Sequence, residues 1–294
     1  MARLKQDPIV KSDLIEYLNS HSDFSFELEV LKMLRTRDID CEHGGHYEDP
    51  VTNKSREFDI RATKTIQGSR LRMAIECKNI RENFPILISC VPRHENESYH
   101  QIALVSEPKS DVFNPVLLGQ PRARILSVRG EYSLYKESEP IGKSTVQVGR
   151  ASDATISAND SELYEKWGQC LSSVNDLVGR VYWDGRDDKE SYFSAVVPFV
   201  VVPNGRLWMV AYDDDGNRVC DPEPTDRVPC FINKDYQMGN KFASATMWLS
   251  HLEIVTLAGM EAFVDMYLRS ETGMAKIFPK EELQEVYKRS VKKS

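Results

Sequence analysis

From Arg56 to Lys78 apolar and polar side chains alternate on either side of a short break at Gln67-Gly68-Ser69. Period-two alternation interrupted by a glycine turn predicts two strands joined as a β-hairpin. Successive side chains on a strand point to opposite faces, so the hairpin sorts into two sets once the turn is placed. With a two-residue turn at Gln67-Gly68, Glu57, Asp59, Arg61, Arg72, Ala74, Glu76 and Lys78 share one face, and Asp59 stands directly opposite Glu76. The other face takes Phe58, Ile60, Ala62, Leu71, Met73, Ile75 and Cys77 and is almost wholly apolar. A turn at Gly68-Ser69 would set Asp59 opposite Lys78 instead, but it slides the pairing by two and leaves every residue on its face.

Two helical patterns precede the hairpin, Ser12 to Ser20 and Phe24 to Arg37, the second with Phe24, Leu28, Leu31 and Leu34 on one stripe. A strand pattern from Ile39 to Glu48 ends at the turn-forming run Asp49-Pro50-Val51-Thr52-Asn53-Lys54. After the hairpin come a short apolar strand, Pro85 to Cys90, and a long polar stretch reaching about Asn159. Residues 80–158 therefore read as a large insertion. Ser161 to Val178 predicts a helix with Leu163, Trp167, Leu171, Val174 and Leu177 inward, and Ala195 to Val202 is the continuous apolar run of a strand buried on both faces. A helix followed by a buried strand suggests a crossover into a sheet. Past the Pro203-Asn204-Gly205 turn, Arg206 to Tyr212 reads as another strand. A strand or helix near Trp248 to Val255, a helix near Leu257 to Leu268 and a last helix from Lys280 make up the rest. The expectation is an α/β core over 1–213 with a C-terminal extension over 214–294 packed on it.

Two carboxylates a few ångströms apart repel each other, and one would stay protonated unless a cation is shared between them. Mg²⁺ takes a few carboxylate oxygens and keeps waters and substrate phosphate for the rest; Asp59, Glu76 and the backbone carbonyl of Cys77 could offer such a set. Lys78, on the same face, could orient an attacking water and place positive charge near a phosphate in transition. Together these groups suit hydrolysis of a phosphodiester. A solvated strand face carrying a cross-strand ion pair would give the same alternation. Glu-x-Lys is a common tripeptide, and Glu107-Pro108-Lys109 is another in this chain.

Composition narrows the class without choosing the substrate. The chain has 294 residues, 41% hydrophobic and 28% charged, the balance of a globular protein. Its start, Met-Ala-Arg-Leu-Lys-Gln-Asp-Pro, lacks the apolar run of a secretory signal, and no stretch is long enough for a membrane span. A cytoplasmic protein without membrane contact is expected. The six cysteines form no Cys-x-x-Cys pair, so reduced, mostly buried thiols are expected. Cys41-Glu42-His43-Gly44-Gly45-His46 resembles a zinc cluster only superficially, because no second ligand pair comes after it at finger-like spacing. The net charge of −7 supplies no global field toward nucleic acid, so phosphate binding would have to come from local patches, a metal or a recruiting partner. One local candidate is the basic and aromatic group Arg122, Arg124, Arg129, Tyr132 and Tyr135. His94 and His100 lie in the polar stretch and read as surface residues.

Arg56-Glu57-Phe58-Asp59-Ile60 followed by Ala74-Ile75-Glu76-Cys77-Lys78-Asn79 resembles the acidic strand and Glu-x-Lys strand of the PD-(D/E)XK, restriction-endonuclease-like nuclease superfamily. That resemblance implies a helix, three antiparallel strands, a crossover helix and a fourth strand in a mixed sheet flanked by helices, the order predicted here. Phe26-Glu27-Leu28-Glu29-Val30-Leu31-Lys32-Met33-Leu34 is similar to the first helix of archaeal Holliday-junction resolvases, where an early glutamate completes the metal site. Aligning the apolar positions puts that glutamate at Glu27; Glu29 is the competitor, since the two point to different sides of a helix. Gln169 lies on the helix that some relatives turn toward site or substrate. The resemblance implies Asp59, Glu76, Lys78 and Glu27 as catalytic residues. Asp59, Glu76, Glu27 and the Cys77 carbonyl would hold Mg²⁺, for which Mn²⁺ could substitute. It further implies a DNA endonuclease of the restriction or phage-defence kind, with DNA favoured over RNA, acting as a homodimer or through a recruiting protein. The rival from another class is a catalytically silent module that keeps the fold and binds protein or nucleic acid.

Overall fold

The computed structural model describes residues 7–106, 122–187, 192–240 and 243–283. Helices α1 (Lys11–Ser20) and α2 (Phe24–Arg35) open the chain, followed by strands β1 (Asp40–Glu48), β2 (Ser55–Ile66) and β3 (Ser69–Cys77). Next come β4 (Ile86–Pro92), β5 (Tyr99–Ser106), β6 (Arg122–Arg129), β7 (Pro140–Arg150) and β8 (Ile156–Asn159). The long helix α3 (Ser161–Asp187) leads into β9 (Tyr192–Val202), β10 (Leu207–Ala211) and the short β11 (Glu223–Pro224). The paired strands β12 (Arg227–Asn240) and β13 (Ala243–Thr256) precede α4 (Leu257–Tyr267) and α5 (Glu271–Ala275). A helical turn begins at Lys280, as expected, and residues 284–294 lie outside the described ones. The second Glu-x-Lys, Glu107-Pro108-Lys109, also lies outside them.

The fold is α/β, built on a large mixed sheet. β1, β2 and β3 are antiparallel neighbours, β9 lies parallel to β3, and β13 lies parallel to β9. The hairpin pairs Ile66 with Ser69 and runs to Ile60 opposite Ile75, which selects the Gln67-Gly68 turn. Both turn residues have positive φ, 45° and 71°, the requirement of the two-residue turn whose twist matches the strands it joins. Asp49 accepts from Val51 and Thr52 and closes the turn between β1 and β2.

The sheet is covered on both faces, and β9 shows why its sequence lacks alternation. Val197, Phe199 and Val201 enter one core with Phe26, Val30 and Leu34 of α2 and Phe263 of α4. Val196, Val200 and Val202 enter the other core with Leu163, Cys170 and Val174 of α3. On α2 the buried stripe is Phe26, Val30, Leu31, Met33 and Leu34; Phe24 and Leu28, expected inward, are exposed. The reason is that α2 meets the sheet along the row starting at Phe26, a choice that spacing alone leaves open. Phe58 is buried but joins neither core, and its ring lies 4.0 Å from the Arg61 guanidinium.

Strands from the expected insertion and the expected extension belong to the same sheet. β13 and β12 come after β9 in its order, and β7 and β4 lie beyond them. Trp248 to Val255 is strand throughout. These strands are faint in the sequence because antiparallel strands wet on one face carry only every second residue inward, as Tyr236, Met238, Met247 and Leu249 do here. Two local expectations change. His100 is buried, its Nε2–H donating to the Ile277 carbonyl and its Nδ1 accepting from the Leu134 amide, and burial pushes its pKa down to about 4. Tyr135 is buried and stacked on His251, with ring centroids 3.7 Å apart, so the 122–135 basic and aromatic group does not form one surface. All six cysteines are free, four of them buried. No helix among the described residues is long and apolar enough to cross a membrane.

Most of the polar face of the hairpin is covered, with Glu57 at its end left exposed. α3 lies over it, and Asp184 accepts from Arg70 (2.5 Å), from both terminal nitrogens of Arg72 (2.7 and 2.5 Å) and from Ser194 (2.8 Å). Arg61 donates to Asp176 at 2.7 Å. Removing one partner of a buried, hydrogen-bonded pair strands the other charge in the interior. Asp184→Ala is therefore expected to lower stability by about 3–5 kcal/mol in urea unfolding. Asp38→Asn, which deletes the charged partner of Lys64 at a 99% exposed position while keeping a residue that tolerates the positive φ of 56° there, should leave the midpoint unchanged.

Candidate active site

The strands β2 and β3 stop pairing at Ile60 and Ile75, and the site begins where they part. Beyond that point the Cys77 amide donates to Asp59 Oδ2 at 2.7 Å, so a carboxylate takes the place of a ladder carbonyl. On its other edge β3 stays bound to β9, with Cys77 paired to Val201 and the Lys78 amide donating to Val201 at 2.9 Å. One edge is thus held while the other opens, which fixes the Asp59 carboxylate beside Glu76. Glu76 is only 1% exposed.

The group between them comes from α3. Lys166 Nζ lies 2.9 Å from Asp59 Oδ2 and 3.4 Å from Glu76 Oε2. Glu76 Oε1 is buried with no hydrogen-bond partner among the described residues. Glu27, at the start of α2, is half-buried with His43 Nε2 3.5 Å from its carboxylate; Glu29 is exposed. His43 also packs its ring against Phe24, at 5.8 Å between centroids.

A second ion pair adjoins the first. Asp23 precedes α2 at the position where a short polar side chain would ordinarily cap the helix, but it makes no such cap. It accepts instead from the Asn79 amide at 2.8 Å and lies 3.4 Å from Lys78 Nζ. Lys78 thus reaches toward α2 and lines a cleft beside the site.

Burial and the Asp59 charge hold the Glu76 carboxyl well above the usual carboxylate range, and Lys166 only partly opposes them. Burial and Asp59 likewise raise Glu27, against the opposing pull of Lys166 and His43. Burial by itself would lower the Lys166 pKa, but Asp59 and Glu76 outweigh it and the ammonium is held charged. The cluster is a carboxylate pair in low dielectric with one positive charge inserted and one acceptor oxygen left over.

Comparison with protein-family models, curated proteins and solved structures returns no match. The chemistry of the site therefore rests on its geometry. Asp59 and Glu76 share the Lys166 ammonium, although the ladder between β2 and β3 ends one pair short of them, and Glu27 feels the Asp59 charge. Gln169 touches the neighbourhood through its backbone, accepting from the Tyr47 hydroxyl at 3.1 Å. Lys166, one helical turn earlier, and Asp23 are site residues that the sequence reading does not single out. A signal for Lys166 exists: it lies three residues after Leu163 and four before Cys170, both fully buried, so it sits on the inward face of α3, where lysine is unexpected. Asp23 carries no comparable signal.

Among the described residues no group of three or more His, Cys, Asp or Glu side chains is arranged to hold a metal ion. The Cys41 to His46 segment is part of β1 rather than a zinc cluster. A Mg²⁺ site needs only one or two carboxylates, since the ion keeps several waters. Two carboxylates with one unpartnered buried oxygen meet that requirement.

A carboxyl whose pKa is raised by folding contributes stability below its ordinary value of 4.5 and loses it as pH climbs through the folded value. Glu76→Gln is neutral at every pH and escapes that loss. Its melting temperature relative to the parent should therefore rise between pH 4.5 and pH 7.5. An offset that is the same at both pH values would show that Glu76 carries no burden of charge.

Proposed function

We propose that this protein is a divalent-metal-dependent nuclease of the PD-(D/E)XK, restriction-endonuclease-like class that hydrolyses phosphodiester bonds, with DNA as its first expected substrate. The observation that carries the reading is Glu76: a carboxylate buried to 1%, beside Asp59, with an oxygen that bonds to nothing among the described residues. Such a group is costly to fold around, and strongly perturbed carboxylates of this kind concentrate at functional sites. The order α2, β1, β2, β3, α3, β9, with β9 parallel to β3, agrees with the core that class implies.

Asp59, Glu76 and the Cys77 carbonyl would hold the metal, with Glu27 behind them. When bound it supplies charge neutralisation at the phosphate and an activated water. The chain's own groups have separate tasks. Lys166 screens Asp59 from Glu76 and keeps the pair together. Asp23 fixes the Lys78 ammonium at the boundary between the carboxylates and the cleft, where it can meet a phosphate oxygen. α3 excludes water from behind Glu76, which strengthens each of these interactions.

Incubation with plasmid, single-stranded DNA and RNA in Mg²⁺ or Mn²⁺ tests the reading. Asp59→Asn and Lys78→Ala should each cut the cleavage rate by roughly a hundredfold or more; undiminished cleavage by Lys78→Ala rejects the assignment.

A second reading is a catalytically silent module, and the Lys166 ammonium favours it, because that cation already bridges the two carboxylates. Lys166→Met separates the two. In a nuclease, removing the ammonium leaves an anionic pair that divalent ions should stabilise, so Mg²⁺ should raise the variant's melting temperature more than the parent's. In a silent module the variant is destabilised and Mg²⁺ restores nothing.

A further inference from the structure

Resting on the nuclease reading, we propose that the cleft beside Lys78 holds an unpaired segment of nucleic acid, so that the site acts on single-stranded or locally opened substrate rather than on an intact duplex. The cleft has a volume of about 430 Å³ and lies between the connection from β3 to β4 and the hairpin of β7 and β8. Its walls carry Lys78, Arg81, Arg150 and His21, together with the Phe84 ring. None of its lining residues is acidic, although the chain as a whole has net charge −7. Carboxylates outnumber lysines and arginines by 45 to 38 in the chain, so a lining with Lys78, Arg81 and Arg150 and no acidic residue departs from the average of the chain, with Lys78 itself paired to Asp23.

The cleft is built rather than incidental. β7 grips the segment before β4: the Val148 amide donates to Pro85 at 3.0 Å, and Gln147, itself buried, donates its side-chain amide to Phe84 at 3.3 Å. Gly149 lies so close to Phe84 that an added Cβ would stand 2.6 Å from the ring. The glycine therefore lets the aromatic ring seat against β7. A cationic groove with an aromatic platform is the composition that holds single strands, since ammonium and guanidinium groups track the backbone while a ring stacks on any base.

Shape argues against a duplex. A cleft of about 430 Å³ takes in nucleotide-sized groups but not the cross-section of a paired double helix. Lys78 belongs both to the cleft lining and to the Asp23 pair, two residues along the chain from Glu76. A strand lying in the cleft would pass one of its phosphates over Lys78 toward Asp59 and Glu76.

The test is fluorescence anisotropy in EDTA, with a labelled single-stranded oligonucleotide and the duplex of the same sequence. The parent protein should bind the single strand more tightly. Arg81→Glu combined with Arg150→Glu, both at exposed positions and with folding checked by circular dichroism, should weaken single-strand binding at least about tenfold and lower the salt slope by roughly 0.7 for each lost phosphate contact. Phe84→Ala should weaken it at least about fivefold with the salt slope unchanged. No single-strand binding by the parent, equal affinity for the duplex, or parent-like affinity in the double variant each overturns the proposal. The two readings fail separately: a protein that binds single strands through these residues but cleaves nothing in Mg²⁺ or Mn²⁺ loses the nuclease reading alone. One that cleaves duplex equally well with Arg81 and Arg150 reversed loses the cleft alone.

Discussion

The ammonium of Lys166 between Asp59 and Glu76 is the contact around which the centre of this molecule is organised. Two carboxylates at the parted end of a hairpin would repel each other, and Glu76 sits almost wholly out of water. In such surroundings an uncompensated charge costs several kcal/mol. α3 delivers the compensating charge from its first turns, and the same helix neutralises Arg70 and Arg72 through Asp184 at its far end. One helix therefore closes the polar face of the hairpin along its length, by ion pairs at both ends and apolar packing of Cys170, Val174 and Leu177 between them.

The compensation is incomplete in a particular place. Asp184 uses its oxygens on three donors and is satisfied; Glu76 shares one cation with Asp59 and leaves Oε1 unbonded among the described residues. Similar burial under the same helix thus yields a fully satisfied ion pair at one end and an incompletely satisfied, perturbed one at the other. The strand parting at Asp59 accounts for the difference. There the hairpin ladder ends, an amide turns to a side-chain carboxylate, and space opens on the side of α2 where Asp23 and Glu27 gather.

Charge is also distributed to suit that arrangement. The chain is acidic as a whole, yet the cleft that Lys78 borders is lined by cations and polar groups. The lysine is the hinge between two environments, a carboxylate cluster behind it and a basic groove before it. On the nuclease reading, a phosphodiester would approach the carboxylates only with positive charge added to that of Lys166, which is the role the proposed metal would fill.

Period-two alternation in residues 56–78 was sufficient to predict the hairpin and to sort Ile60, Ala62, Leu71, Met73, Ile75 and Cys77 to one buried face, because side-chain direction on a strand is a local property. It left the turn open between Gln67-Gly68 and Gly68-Ser69, and did not show that the ladder ends at Ile60 and Ile75 or that Phe58 joins neither core. The buried run at 195–202 announced a central strand because a strand covered on both faces is apolar without alternation, whereas the stripe that spacing suggested on α2, with Phe24 and Leu28 inward, was not the one the fold buried. What tertiary structure alone decided was everything that depends on which elements meet. The polar face of the hairpin could have been wet; α3 covers it. Lys166 and Asp23 are distant in sequence from the carboxylates and from Lys78, and no spacing rule links them. The strands of 227–256 entered the sheet beside β9 by non-local pairing, so their place was hidden in a sequence that showed only modest one-sided alternation. Local geometry is written residue by residue, whereas burial and charge compensation are properties of contacts made after the chain has folded.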